Sequence, residues 1–192
     1  MNGSIEEQLD SLDQQAARAE PGTAAHLLNR AGDLCLGAGD KPRALAYYGQ
    51  AIDANLRGRR FEAAVGMCHK LLRVAPTAVR TRCTLSWLAL GRGDLGEIVE
   101  EVGEYVNAAV ATGEQDRAAH HLVRMAAASH DGRIHELLAA HLERLGRPAA
   151  AADVRRAVRV PGAPTRPLGE AAKTELWDTV VDGALTETAG MD

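Results

Sequence analysis

The residues of this chain that could do chemistry are seven histidines, three cysteines and many acidic side chains, and their spacing decides which chemistries stay open. His135-Glu136, followed by His141, comes close to the H-E-x-x-H helix of zinc hydrolases, where two imidazoles four residues apart share one face and hold a metal. Here the separation is about 600° of helical rotation, which leaves the rings about 120° apart. His120 and His121 are adjacent and diverge for the same reason. Cys35, Cys68 and Cys83 are odd in number, form no C-x-x-C pair and fall on apolar helical faces, so they read as buried reduced thiols. Neither a G-x-x-x-x-G-K-[ST] phosphate loop nor a G-x-S-x-G nucleophile elbow occurs. Arg92-Gly93-Asp94 spells an adhesion tripeptide but sits between two helical stretches, where Asp94 suits a helix N-cap. The expectation is a non-catalytic protein with no cofactor and no metal.

The elements that position these residues are helical. Apolar residues make up 46% of the 192-residue chain but aromatics only 3%, so Ala and Leu must pack the core, and both favour helix. Ser4-x-x-Glu7 is a capping box for a first helix over 4–19. Eight further helices are predicted over 23–37, 41–56, 60–75, 78–90, 95–111, 114–129, 133–145 and 148–159, joined by short Gly-, Asp- or Pro-bearing turns that make neighbours antiparallel. Pro161, Pro164 and Pro167 mark a linker, after which residues 169–185 could form a small amphipathic helix. The organisation expected is an acidic N-terminal helix over 1–22, a helical domain over 23–160, and a linker with an acidic tail over 161–192. The N-terminus has no apolar signal region and no run approaches a membrane span, so a cytoplasmic location is expected. The arginine-rich composition hints at a bacterial source.

Residues 28–51 carry the most specific pattern. Leu28, Ala31-Gly32 and Cys35, then Ala44 and Tyr48, resemble the W-x2-L-G-x2-Y and A-x3-F positions of the tetratricopeptide repeat (TPR), with Leu56 in place of the closing proline. Ala64, Cys68 and Pro76 echo the second half of the motif. Leu85-Ser86 with Gly93-Asp94, and Leu138-Ala139 with Leu142, Gly146 and Ala151, give fainter copies. Ala44 and Ala64 are too close for the 34-residue period, so 41–56 closes one unit and opens the next. The resemblance implies an all-α, right-handed array of antiparallel helix pairs, an α-solenoid of about eight to nine helices.

What such a resemblance implies for function is a protein–protein interaction scaffold or adaptor. Positions that line the concave groove of TPR-like arrays correspond to His26, Asn29 and Asp33 in the first unit and to Arg80, Cys83 and Trp87 after Pro76. Arg82 joins Arg80 and Trp87 as an expected anchor, because Arg and Trp dominate interface energetics. The Lys and Asn of the carboxylate clamp that some TPR proteins use for chaperone tails are not met at Asp33, Cys83 and Trp87, so chaperone-tail binding is not expected.

Charge adds a partner class. Residues 57–92 carry a net charge of +7 and residues 93–116 carry −7. Paired across neighbouring helices these charges are a solvated surface; unpaired, the basic stretch attracts an acidic peptide or partner subunit. The acidic tail, with Trp177 as a candidate anchor, could dock within the chain. Two other classes stay open. A nucleic-acid-binding or regulatory helical protein is disfavoured by the net charge of −4 and by the absence of aromatics interleaved with basic residues. An enzyme of unrecognised type would need a dispersed site. A small-molecule substrate and a membrane partner are not expected.

Overall fold

Ser4 begins the first helix as its capping box predicts: its hydroxyl accepts from the Glu7 amide at 3.3 Å, and its own amide donates to the Glu7 carboxylate at 3.0 Å. The computed structural model describes residues 4–157 and 170–186. Every regular element among them is an α-helix: α1 (Ile5–Arg18), α2 (Pro21–Gly37), α3 (Lys41–Arg57), α4 (Phe61–Val74), α5 (Val79–Arg92), α6 (Leu95–Thr112), α7 (Gln115–Ala128), α8 (Gly132–Arg144), α9 (Pro148–Ala157) and α10 (Glu170–Thr186). Nine follow the apolar periodicity of the sequence. The tenth is the segment after the prolines, so the count exceeds the eight to nine expected of the array. The proline linker itself lies outside the described residues. No helix among those described is long and apolar enough to cross a membrane.

Helix ends repeat one device. Gly39 and Gly113 adopt φ of +82° and +81° immediately before the residue that opens the next helix, a left-handed conformation that costs glycine little. Gly93 and Gly146 do the same, but at the α3–α4 corner the residue is Arg59, with φ +54°. Asp40, Asp94 and Asp131 then cap α3, α6 and α8 by accepting from backbone amides of the first turn.

The chain clusters into two compact units, Met1–Thr81 and Arg82–Asp192. In the first, α2 packs on α1 and α3, and α3 on α4. Gly32 lets α2 and α3 approach closely: a Cβ there would lie 2.5 Å from the Tyr48 ring. Ala31, Ala44, Ala51, Leu56, Ala64 and Cys68 are fully buried around this crossing. Polar bonds tie helices that are not sequence neighbours. Arg43 on α3 pairs with Glu6 on α1 at 2.9 Å, and the Tyr47 hydroxyl donates to Asp13 at 2.8 Å.

In the second unit, α5 and α6 run antiparallel. Arg82 meets Glu104, the Ser86 hydroxyl donates to the Glu101 carbonyl, and Arg92 meets Glu97. Two basic residues of the 57–92 stretch, Arg82 and Arg92, are thus paired with the acidic stretch across one helical contact, at partly exposed sites worth about 0–1 kcal/mol each, while Lys70 and Arg80 pair with Asp33 and Asp53. Helix α6 touches α7 and α8, and α7 touches α8 and α9, through Val102, Val106, Leu122, Leu138, Leu142 and Val154. Helix α10 lies against α5 and α7. Val180 and Ala184 are fully buried, Trp177 packs over Gly91, Gly183 faces Trp87, and Asp182 pairs with Arg124 at 2.8 Å.

Candidate functional site: a groove between α2 and α4

The first unit contains an open groove of about 650 Å³. Thr23, His26 and Asn29 on α2 form one wall, Arg60, Ala63, Gly66 and Met67 at the start of α4 form the other, and Asn55 of α3 contributes to the floor. Helical periodicity explains the walls: His26 and Asn29 are three residues apart, as are Arg60, Ala63 and Gly66, so each set lies on one face. Ala63 and Gly66 keep the α4 wall low. No atom lies within 4 Å of where a Gly66 Cβ would stand.

Polarity in the groove is left unused by the fold. The Asn29 amide oxygen accepts from Lys70 Nζ at 2.6 Å, and its Nδ2 makes no hydrogen bond among the described residues. Asn55 is the reverse. Its Nδ2 donates to the Ala51 carbonyl at 3.0 Å and its Oδ1 has no bond within the described residues, although the residue is only 3% exposed. The Arg60 guanidinium lies directly against Gly22 in the first turn of α2, where any Cβ would collide with it, and it has no carboxylate partner among the described residues. Neither Glu20 nor Arg60, the residues that precede α2 and α4, caps its helix with a side chain.

One turn further along α2 the chemistry is closed. Lys70 Nζ meets Asp33 Oδ1 at 2.5 Å, the Tyr48 hydroxyl donates to the same oxygen at 2.6 Å, and the ammonium lies 4.7 Å from the Tyr48 ring centroid. Burial alone would raise the Asp33 pKa, but the bonds from Lys70 and Tyr48 outweigh it and hold the carboxyl below its usual range. Burial first, and then the hydrogen bond to Asp33 and its charge, push the Tyr48 hydroxyl well above the ordinary tyrosine range.

The structure thus brings His26 and Asn29 together on the groove, with Asp33 beyond them in its ion pair. Arg80 is paired with Asp53, whose carboxyl is raised by burial despite that partner. Arg82 is paired with Glu104. Cys83 and Trp87 are 0% exposed and belong to the core, so neither presents a side chain to a groove. Of the histidines singled out by spacing, the His135 ring lies between the Ser129 and Val154 carbonyls at 2.8 and 3.1 Å, while His141 Nδ1 accepts from Arg144 at 3.1 Å. Those bonds use the rings structurally.

Sequence reasoning overlooked Asn55, Arg60 and Met67. Two signals were there to be read. Asp53 and Asn55 are polar residues inside the buried run 51–56, and Arg60 stands at an N-cap position where its side chain cannot cap. No protein-family model matches the chain, and no curated protein matches it.

Proposed function

We propose that the first unit is a non-catalytic module that binds an extended segment of a partner protein in the α2–α4 groove. The observation that carries this reading is the polar lining of the groove, which the fold leaves to solvent rather than to its own side chains. Most arginines of the chain are spent on carboxylates, among them Arg43, Arg80, Arg82, Arg92, Arg124 and Arg155. Around the groove, Arg60, His26, Asn29 and Asn55 keep donors or acceptors available. His26 and Arg60 are exposed and Asn29 is half-buried, so water serves them in the free protein, and beside the buried Asn55 they can exchange that water for the polar groups of a bound segment. The volume matches that of specific binding sites, and the helical walls are fixed by the α2–α3 crossing, which keeps the reorganisation on binding small.

Contacts within each unit are in keeping with the resemblance to TPR arrays and favour the same reading. Tyr48 lies on Gly32, the pair that stands at the F and G positions of the resembled motif, and helices touch their second neighbours as well as their first in both units. Selection of peptides from a random twelve-residue display library with the full chain tests the function. Gly66→Trp fills the groove without meeting any atom near its Cβ. Enriched peptides should lose at least about tenfold in affinity for this variant, with helicity by circular dichroism unchanged. Peptides that bind both proteins equally would remove the groove as the site.

A further inference from the structure

Asn29 and Asn55 are two amides each half used by the protein, in opposite senses. Lys70 holds the Asn29 oxygen, so the amide is oriented with its NH₂ outward. The Ala51 carbonyl holds the Asn55 NH₂, so the oxygen is what remains. The groove therefore offers one fixed donor and one fixed acceptor, which is the complement of a single peptide unit with its C=O and N–H. An extended chain needs such partners, because its backbone groups must exchange water for protein on binding.

The end of the groove has a different character. Among the described residues the Gly22 and Thr23 amides in the first turn of α2 have no acceptor, and the Glu20 side chain does not cap them. Helix α4 also starts there without a side-chain cap, at Arg60. The Arg60 guanidinium, already at the positive end of α4, lies against the positive end of α2. Arg60 is exposed and solvated there, and an anion seated between its guanidinium and the first-turn amides of α2 would gain charge-assisted hydrogen bonds from both. Glu20 is on the rim and makes no ion pair with any described residue, so it does not fill that role.

Resting on the groove reading above, we infer that the bound segment is an extended peptide whose main chain is read by Asn29 and Asn55 and which places an internal Asp or Glu side chain at Arg60 and the α2 N-terminus. The segment is thereby distinguished from an apolar helix, which would bury its own backbone bonds and leave both asparagines unanswered.

The same display selection tests this, with peptides acetylated and amidated for affinity measurements so that no terminal carboxylate takes part. Peptides selected on the wild-type chain should share an acidic residue at one position. Replacing it by Gln or Asn, or replacing Arg60 by Gln, should each weaken binding about tenfold, and the two changes together should weaken it little more than either alone. N-methylation of one peptide amide should weaken binding to the wild type but not to Asn55→Leu, a pair that separates main-chain reading from general loss of contact. Peptides that are blocked by Gly66→Trp yet carry no shared acidic residue, or are indifferent to Arg60→Gln, would overturn the acidic assignment while leaving the groove intact. Binding that requires a free C-terminus would overturn the internal acid in favour of a terminal carboxylate. Peptides insensitive to Gly66→Trp would overturn both readings.

Discussion

Trp87 on α5 and Gly183 on α10 meet so closely that a Cβ on the glycine would lie 2.5 Å from Cε2 of the indole. Four residues along α5 the roles are exchanged, since Gly91 faces the Trp177 ring with a corresponding distance of 2.6 Å. Each tryptophan thus occupies the space that a missing side chain on the other helix leaves, and the pair of contacts fixes both the register and the distance of α10. The arrangement uses small residues as an interface feature, with the indoles providing the buried area.

Gly183→Ala is accordingly expected to destabilise the second unit. The added methyl must displace a fully buried ring, which costs about 1–3 kcal/mol, and the better helix propensity of alanine returns at most about 1 kcal/mol. Gly103→Ala on α6 is the control, because no atom lies within 4 Å of that position. The control should be neutral or stabilising, and urea unfolding followed by tryptophan fluorescence distinguishes the two. Equal effects would mean that the Trp87–Gly183 contact is not tight.

Arg59 holds a left-handed backbone where the other corners of this type use glycine. For a residue with a Cβ that conformation costs about 1–2 kcal/mol. Arg59→Gly should stabilise the first unit by up to about 1 kcal/mol after the added flexibility of the unfolded chain is counted, and so raise the midpoint of thermal unfolding. A fall in the midpoint would show that interactions of the Arg59 side chain outweigh its backbone strain.

Asp33 makes the first unit sensitive to acid. Its carboxyl has a lower pKa folded than unfolded, so its contribution is fully present above the ordinary carboxylate range and is lost as pH falls through the depressed value. Tyr48→Phe removes one of the two bonds that lower it, and should cost about 1–2 kcal/mol at neutral pH and less in acid strong enough to protonate the Asp33 carboxyl of the folded chain. Chemical denaturation at the two pH values measures the difference; a cost independent of pH would assign the effect to packing of the ring.

His141 titrates in the opposite region. Burial first, and the neighbouring Arg144 second, lower its pKa. A histidine with a depressed folded pKa binds its proton more readily when unfolded, so stability falls as pH drops through about 6.5 and levels off only below the folded value. His141→Gln should flatten that part of the profile between about pH 7 and pH 5. A profile unchanged by the substitution would place the titration elsewhere.

The sequence by itself determined the helices and most of their ends. Apolar residues at helical spacing, Ser4 and Asp40 as caps, and Gly39 or Gly113 at turns are local signals, and local backbone sterics and hydrogen bonding decide them. The close approach of α2 and α3 was also legible, because Gly32 offers a small residue on one helical face and Tyr48 a large one on the next helix to fill it. What faces what was not. Trp87 reads equally as an anchor or as core until Gly183, far along the chain, is seen to cover it. The +7 and −7 stretches leave pairing and an unpaired basic surface both open until the antiparallel α5–α6 contact sets Arg82 against Glu104 and Arg92 against Glu97. Asn29 and Asn55 become a donor and an acceptor only through Lys70 and the Ala51 carbonyl, which decide which half of each amide the fold consumes. Periodicity fixes the face of a helix on which a residue lies, whereas the partner across that face depends on packing between segments distant in sequence, and only the tertiary structure supplies it.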